Sequence, residues 1–182
     1  MPVRDLAWAD FPSITETYYA LYEEVRENPD LGITLFATPP TLGEEAEWFA
    51  RMYRRVLEGH SIAVVPEVDG RAVGLCTIDR RGPATELAHV GVLGIMVARA
   101  HRRQGLGRAL LREALARCPG KFELVELTVF TTNAHARALY RSVGFRPWGA
   151  MARGVRRNGA YTDLEHMVLD VPPVAAPASP GR

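Results

Sequence analysis

The densest concentration of chemistry in this 182-residue chain is one short run, Val97-Ala98-Arg99-Ala100-His101-Arg102-Arg103-Gln104-Gly105-Leu106-Gly107-Arg108. An apolar stretch ends, an arginine-rich segment turns, and two glycines open a run of helical spacing. The first turn of a helix leaves backbone N–H groups unpaired and carries partial positive charge. Gly105 and Gly107 let that backbone come close to a ligand, and Arg102, Arg103 and Arg108 add fixed charge. The combination reads as a cradle for a phosphate or pyrophosphate. Two glycines alone would read as punctuation in a solvated basic loop; strand before, helix after and arginines between favour the cradle. No GxxxxGK[ST] run exists, and Leu110 stands where a dinucleotide fingerprint needs its third glycine. Glu126, at the spacing of a ribose contact, falls in mid-strand rather than at a strand end.

A second run follows, Asn133-Ala134-His135-Ala136-Arg137-Ala138-Leu139-Tyr140-Arg141-Ser142-Val143-Gly144-Phe145. The two runs in this order resemble the GCN5-related N-acetyltransferase (GNAT) superfamily, whose acyl-CoA signature [Arg/Gln]-x-x-Gly-x-[Gly/Ala] is matched from Arg102 to Gly107. The resemblance covers residues 3 to 170. It implies acetyl-CoA as cosubstrate, its pyrophosphate on the N–H groups from Gln104 through Gly105, Leu106 and Gly107 to Arg108. It implies that the pantetheine arm lies as an extra strand beside Ile95, Met96 and Val97. An N–H near Ile95 would polarise the thioester carbonyl, and the acceptor amine would attack directly. The matching tyrosine, Tyr140, would protonate the departing thiolate; an isolated tyrosine at that spacing would read as core packing. Asn133 is open between helix cap, CoA contact and both. Arg157 to Asp163, with Met167, is similar to a branch acting on small amines and amino acids. A homodimer, common in the family, is one open assembly.

An ammonium acceptor must lose a proton before it attacks. Related enzymes often place an acidic residue on the fourth strand, but His89-Val90-Gly91-Val92-Leu93-Gly94 holds no carboxylate. Glu86, His89, Asp163 and His166 are candidates, and none is assigned. That gap motivates a second reading, a catalytically silent acyl-CoA-binding sensor or partner module. A third, a dinucleotide-binding oxidoreductase, is disfavoured by Leu110.

These residues need elements to position them. Val3 to Leu6 can form a first strand. Asp10 can cap a helix carrying Ile14, Tyr18, Leu21, Tyr22 and Val25 on one face. Asn28 to Gly43 reads as a long loop, unusually apolar at Ile33, Leu35 and Phe36; loops of this length are often functional. With Trp148 it is expected to wall the acceptor pocket. A second helix spans Glu44 to Leu57. Strands follow at Ser61–Val68 and Arg71–Asp79 around Asp69-Gly70, a hairpin dipeptide, and then at His89–Val97. Gly91 and Gly94 fit a bulge or a close backbone approach. A helix from Gly105 to Arg117, a strand at Leu124–Phe130 and a helix at Ala134–Val143 complete a parallel crossover and the second motif. Phe145–Arg153 and Tyr161–Val171 close a hairpin. The fold class is α+β on a mixed sheet; the resemblance implies a mostly antiparallel sheet of six to seven strands with helices on both faces, splayed between the fourth and fifth strands.

Composition sets the frame. Hydrophobic residues are 47%, charged residues 24% and net charge +1, ordinary for a globular chain and not for a nucleic-acid binder. One domain over residues 1–170 and a disordered Pro/Ala-rich tail over 171–182 are expected. Cys76 and Cys118 lack metal spacing, so no metal is expected, and they read as reduced thiols of a cytoplasmic protein. No apolar run approaches the ~20 residues of a membrane span. The expected partner is a small-molecule amine, with no nucleic acid and no membrane.

Overall fold

The computed structural model describes residues 2–28, 31–82 and 85–173. The strands are β1 (Val3–Asp5), β2 (Ser61–Val68), β3 (Arg71–Ala72), β4 (Gly74–Arg80), β5 (Val90–Val97), β6 (Leu124–Phe130), β7 (Arg146–Arg157) and β8 (Ala160–Asp170). The helices are α1 (Phe11–Glu27), α2 (Leu42–Leu57), α3 (Leu106–Ala116) and α4 (Ala134–Arg141). The sheet runs β1-β2-β4-β5-β6-β8-β7, with β3 paired to β2. Every pairing is antiparallel except β5 with β6.

The expected mixed sheet is present, and its strand count differs for a local reason. Arg71–Asp79 was expected as one strand. It divides at Val73 into β3 and β4, so the expected fourth and fifth strands are β5 and β6. Both hairpin turns adopt the positive φ that their dipeptides favour, 49° and 75° at Asp69-Gly70 and 49° and 81° at Asn158-Gly159.

Side chains alternate across a strand, so each central strand feeds two cores. Ile62, Val64, Cys76 and Ile78 face α3 and α4, where Leu110, Leu111 and Ala114 are fully buried. Ala63, Val65 and Leu75 face the other way, onto Ile14 of α1 and Phe49 and Met52 of α2. Each of the Val, Leu, Ile, Phe and Met side chains among them contributes about 1.5–3 kcal/mol on burial.

Two helix starts differ from the sequence expectation. The Asp10 side chain does not cap α1. Its carboxylate takes two bonds from Arg4, at 2.7 and 2.8 Å, and one from the Ala7 N–H. The second helix begins at Leu42 rather than Glu44, because Thr41 and Glu44 form a reciprocal capping box.

The expected tail is described only to Pro173, and residues 174–182 lie outside the described residues. Val171 is not loose: it is buried, and its N–H donates to the Glu123 carbonyl at 2.8 Å. Among the described residues no helix is long and apolar enough to cross a membrane.

Candidate active site

The sheet opens where β5 meets β6. Their parallel pairing comprises three residue pairs, Val90–Leu124, Gly91–Val125 and Val92–Glu126. Beyond Val92, β5 continues on β4 while β6 continues on β8. Of the bulge and the close backbone approach that Gly91 and Gly94 allow, the bulge is absent, since the register of β4 against β5 runs from Gly74↔Val97 to Arg80↔Gly91 without a shift. Gly91 serves close approach instead. A Cβ there would lie 2.5 Å from Ile78 Cγ2 and 3.2 Å from Phe122.

Strand alternation shows which backbone groups face the opening. The Ala98 N–H donates to Val73 and the Val90 carbonyl accepts from Arg81, so even-numbered residues of β5 turn toward β4. By the period of two, Leu93 and Ile95 present their N–H and C=O groups to the slot, and Val97 its N–H, its carbonyl being taken by Arg102. Such an edge adds an extended ligand as a further strand.

At the end of β5 the chain makes a short 3₁₀ turn, Arg99–His101, and enters α3. Gly105 sits at the helix N-cap with φ 82° and no side-chain cap. That left-handed conformation favours glycine. The first internal bond runs from the Ala109 N–H to the Gly105 carbonyl, so the preceding N–H groups are available to an anion. Leu106 is buried in the core and offers the ligand only its backbone.

The arginines divide differently from expectation. Arg102 was expected to add charge to the cradle. Its guanidinium instead makes two bonds to Glu24 of α1, at 2.6 and 2.9 Å, and a third to the Val97 carbonyl at 2.8 Å. It neutralises a nearly buried carboxylate and ties the loop to α1. Arg103 donates to His135 at 2.9 Å, and Arg108 is exposed. Neither meets a carboxylate among the described residues. Gln104 caps back onto the Ala100 carbonyl at 3.2 Å. Gly107 answers to packing, since a Cβ there would stand 3.0 Å from Leu139 Cδ2 of α4.

The second motif builds α4. Asn133 Oδ1 accepts the Ala136 N–H at 3.0 Å, so the helix-cap role is present. Its side chain also backs the long loop: a Cβ on Gly32 would fall 2.7 Å from Asn133 Nδ2. Tyr140 is 8% exposed, with its ring edge-on to Phe145 at 6.0 Å. Its hydroxyl has no hydrogen bond among the described residues. Burial, with a smaller effect of the neighbouring Cys76, pushes the phenol well above its ordinary pKa. Burial likewise raises both thiols, Cys118 to about 12, so neither is a ready nucleophile.

Across the sheet from α3 lies a cavity of about 710 Å³ between α1, the long loop, α2 and the β4–β5 face. Ile33 and Phe36 line it, as do Gly94, Ile95 and Met96 of β5. Phe36 is 70% exposed, which makes it a wall and not a core plug. The loop is held from afar: Arg157 donates to the carbonyls of Leu31, at 3.0 Å, and Ile33. Trp148 is not part of this wall; its ring packs against His166 on the β7–β8 hairpin.

None of the base candidates lines the cavity. His89 precedes β5 by one residue, six residues or ~20 Å of strand from Ile95. Glu86 is exposed, the Asp163 carboxylate binds the Arg153 N–H, and His166 meets Thr128. The cavity instead holds Glu45, only 6% exposed. The sequence carried a signal for it: Glu45 falls on the α2 stripe with Phe49, Met52 and Val56, where an apolar residue belongs. Among the described residues no group of three or more His, Cys, Asp or Glu side chains could hold a metal ion.

Comparison with known proteins agrees with this geometry. Residues 3–145 match the acetyltransferase (GNAT) family. An Escherichia coli L-amino acid N-acetyltransferase is 35% identical over 102 residues, 55% of this chain and 62% of that enzyme. The match thus spans under two thirds of that relative's length. The N-alpha-acetyltransferase RimI of Mycobacterium tuberculosis is 38% identical over 61% of this chain and 68% of its own. Among solved structures, a phosphinothricin acetyltransferase from Sinorhizobium meliloti in complex with acetyl-CoA superposes with a TM-score of 0.79. It is 25% identical and covers 99% of this chain and 94% of that one. The chain belongs to the GNAT acetyltransferases, a class that draws its acetyl group from acetyl-CoA.

Proposed function

We propose that this protein transfers an acetyl group from acetyl-CoA to the primary amine of a small molecule, by direct attack of the amine on the thioester. The observation that carries the reading is the early end of β5–β6 pairing beside the uncapped start of α3. The open edge at Leu93, Ile95 and Val97 accommodates the pantetheine arm, and the N–H groups from Gln104 to Arg108 accommodate the pyrophosphate. Arg103 and Arg108 supply the charge, and Arg102 supports the loop. The Ile95 N–H sits on the slot side, where it can polarise the thioester carbonyl. Tyr140 keeps its proton at neutral pH and so can give it to the departing thiolate. The cavity across β5 receives the acceptor, and its size suits a small molecule. The relatives that act on amino acids and the one named an N-alpha-acetyltransferase leave the acceptor to be chosen by that cavity.

The test is thermal stabilisation by acetyl-CoA, CoA and NAD, followed by thiol release across a panel of amines. Stabilisation by acetyl-CoA with turnover supports transfer. Stabilisation without turnover on any amine supports the silent module, and stabilisation by NAD alone refutes the slot assignment.

A further inference from the structure

Helix α2 lays one stripe on the sheet, and Phe49 and Met52 bury there against Ala63, Val65 and Leu75. Glu45 stands one turn earlier on that stripe. An ionised carboxylate in such a place is unfavourable unless something pairs with it. Glu45 has no ion pair and no side-chain hydrogen bond among the described residues. Its neighbours are otherwise engaged: Glu44 closes the capping box with Thr41, and Glu47 lies 3.8 Å from Arg51. From α1, Tyr18 and Tyr19 feel the Glu45 charge. The strands and the loop bring only uncharged residues to the cavity wall, among them Leu75, Thr77, Gly94, Ile95 and Phe36. Tyr18 and Trp48 add aromatic rings, which favour a nearby cation. Burial, then Glu44, holds the Glu45 carboxyl above the usual carboxylate range, which suits a group that takes up a proton.

We propose that Glu45 receives the ammonium group of an acceptor with an apolar body and takes the proton that it loses before attack. This rests on the transfer reading above. The ammonium gives one proton to the Glu45 carboxylate, which passes it to solvent. The freed lone pair forms the C–N bond at the thioester carbonyl, the C–S bond breaks, and its electron pair leaves on sulfur. The second proton lost by nitrogen balances the one that Tyr140 gives to the thiolate.

Glu45→Gln keeps the shape and removes the charge. Rates are measured with acetyl-CoA and 2-phenylethylamine, hexylamine, L-methionine and L-methionine amide, and the best of the four serves for the variants. Losing one charge-assisted contact lowers kcat/KM by about tenfold or more. The variant also loses the acidic limb of the wild-type kcat/KM profile, while acetyl-CoA affinity and melting temperature hold. Glu58→Gln, at the far end of the same helix and outside the cavity, stays near wild type. A folded Glu45→Gln with wild-type kcat/KM overturns the proposal, as does an equal loss in Glu58→Gln. A measurement that needs no variant is calorimetry on the CoA-saturated wild type with 2-phenylethylamine and 2-phenylethanol. The amine binds at least about tenfold tighter; equal affinities overturn the proposal. A protein that binds acetyl-CoA but acetylates none of the four amines also overturns it, whereas failure to bind acetyl-CoA overturns the transfer reading itself.

Discussion

Tyr140→Phe separates packing from chemistry because the structure gives the ring and the hydroxyl different surroundings. The ring is buried against Phe145 in the larger core, and phenylalanine preserves that contact. The hydroxyl has no hydrogen bond among the described residues, so deleting it forfeits none of the ~1 kcal/mol that a typical bond contributes. Stability at neutral pH should therefore change by less than about 0.5 kcal/mol. Its sign reverses in alkali. The folded phenol is raised above its ordinary ~10, so the stabilisation it carries is present below that value and is lost as pH rises beyond it. Phenylalanine carries no such loss. Turnover behaves differently. General acid catalysis contributes about 10²–10⁴, and a thiol leaving group of pKa ~8.5 needs the lower end. A hundredfold fall in kcat is about 2.7 kcal/mol of barrier. The assay is single-turnover thiol release at saturating acetyl-CoA, paired with calorimetric affinity, which should be unchanged. Wild-type single-turnover rates in a folded variant would refute the acid role and leave Tyr140 as packing alone.

The other expectations follow from the same geometry. Arg102→Ala leaves Glu24 without its partner and frees the loop from Val97; it should lose about 2 kcal/mol of stability as well as acetyl-CoA affinity, by melting and calorimetry. Arg108→Ala should instead weaken acetyl-CoA in a salt-dependent way with little change in melting temperature. Gly107→Val should collide with Leu139, so if packing and not phosphate contact is the cause, adding Leu139→Ala should restore affinity. Phe36→Ala should raise the acceptor KM with a stability change under about 0.5 kcal/mol, because its ring is already 70% exposed; a large drop in melting temperature would return it to the core.

What the sequence made legible is what local spacing encodes. The cradle is a strand, a turn and a helix within twelve residues, Val97 to Arg108, and each part carries its own signal. The Asn133 cap and the two positive-φ turns are likewise short-range. Sequence and structure part where a side chain has a distant alternative. Arg102 looks like a phosphate ligand until Glu24, seventy-eight positions earlier, is folded beside it. Asp10 looks like a cap until Arg4 claims its carboxylate. Trp148 looks available to the acceptor until the hairpin turns it onto His166. Of the two roles open to Gly91 and Gly94, a bulge or a close approach, the bulge does not occur, and β5 keeps its register on β4. Divergence of β6 toward β8 suffices to open it, and that is decided by pairing between segments far apart in sequence.

The two halves of the site therefore differ in kind. The donor half is backbone: N–H groups on a strand edge and a helix start, whose recognition of a diphosphate and an amide-bearing arm depends little on side-chain identity. The acceptor half is side chains from α1, the loop and α2, brought against β4 and β5 only by tertiary packing. Such a surface can change its preferred amine without disturbing the donor half, because its residues lie outside the cradle and α4. The loop illustrates the division. Its Ile33 and Phe36 side chains line the cavity, whereas Leu35 does not, and its path is fixed by carbonyls of Leu31 and Ile33 that accept from Arg157, across the sheet on β7. Backbone anchoring leaves the side chains at Ile33 and Phe36 free to vary. A buried carboxylate is less free, since its cost must be offset by what the cavity binds. Among the described charged residues of the wall, which include Glu44, Glu47 and Arg51, Glu45 is the buried one, and on the proposal above its burial ties the acceptor's charge to the fold.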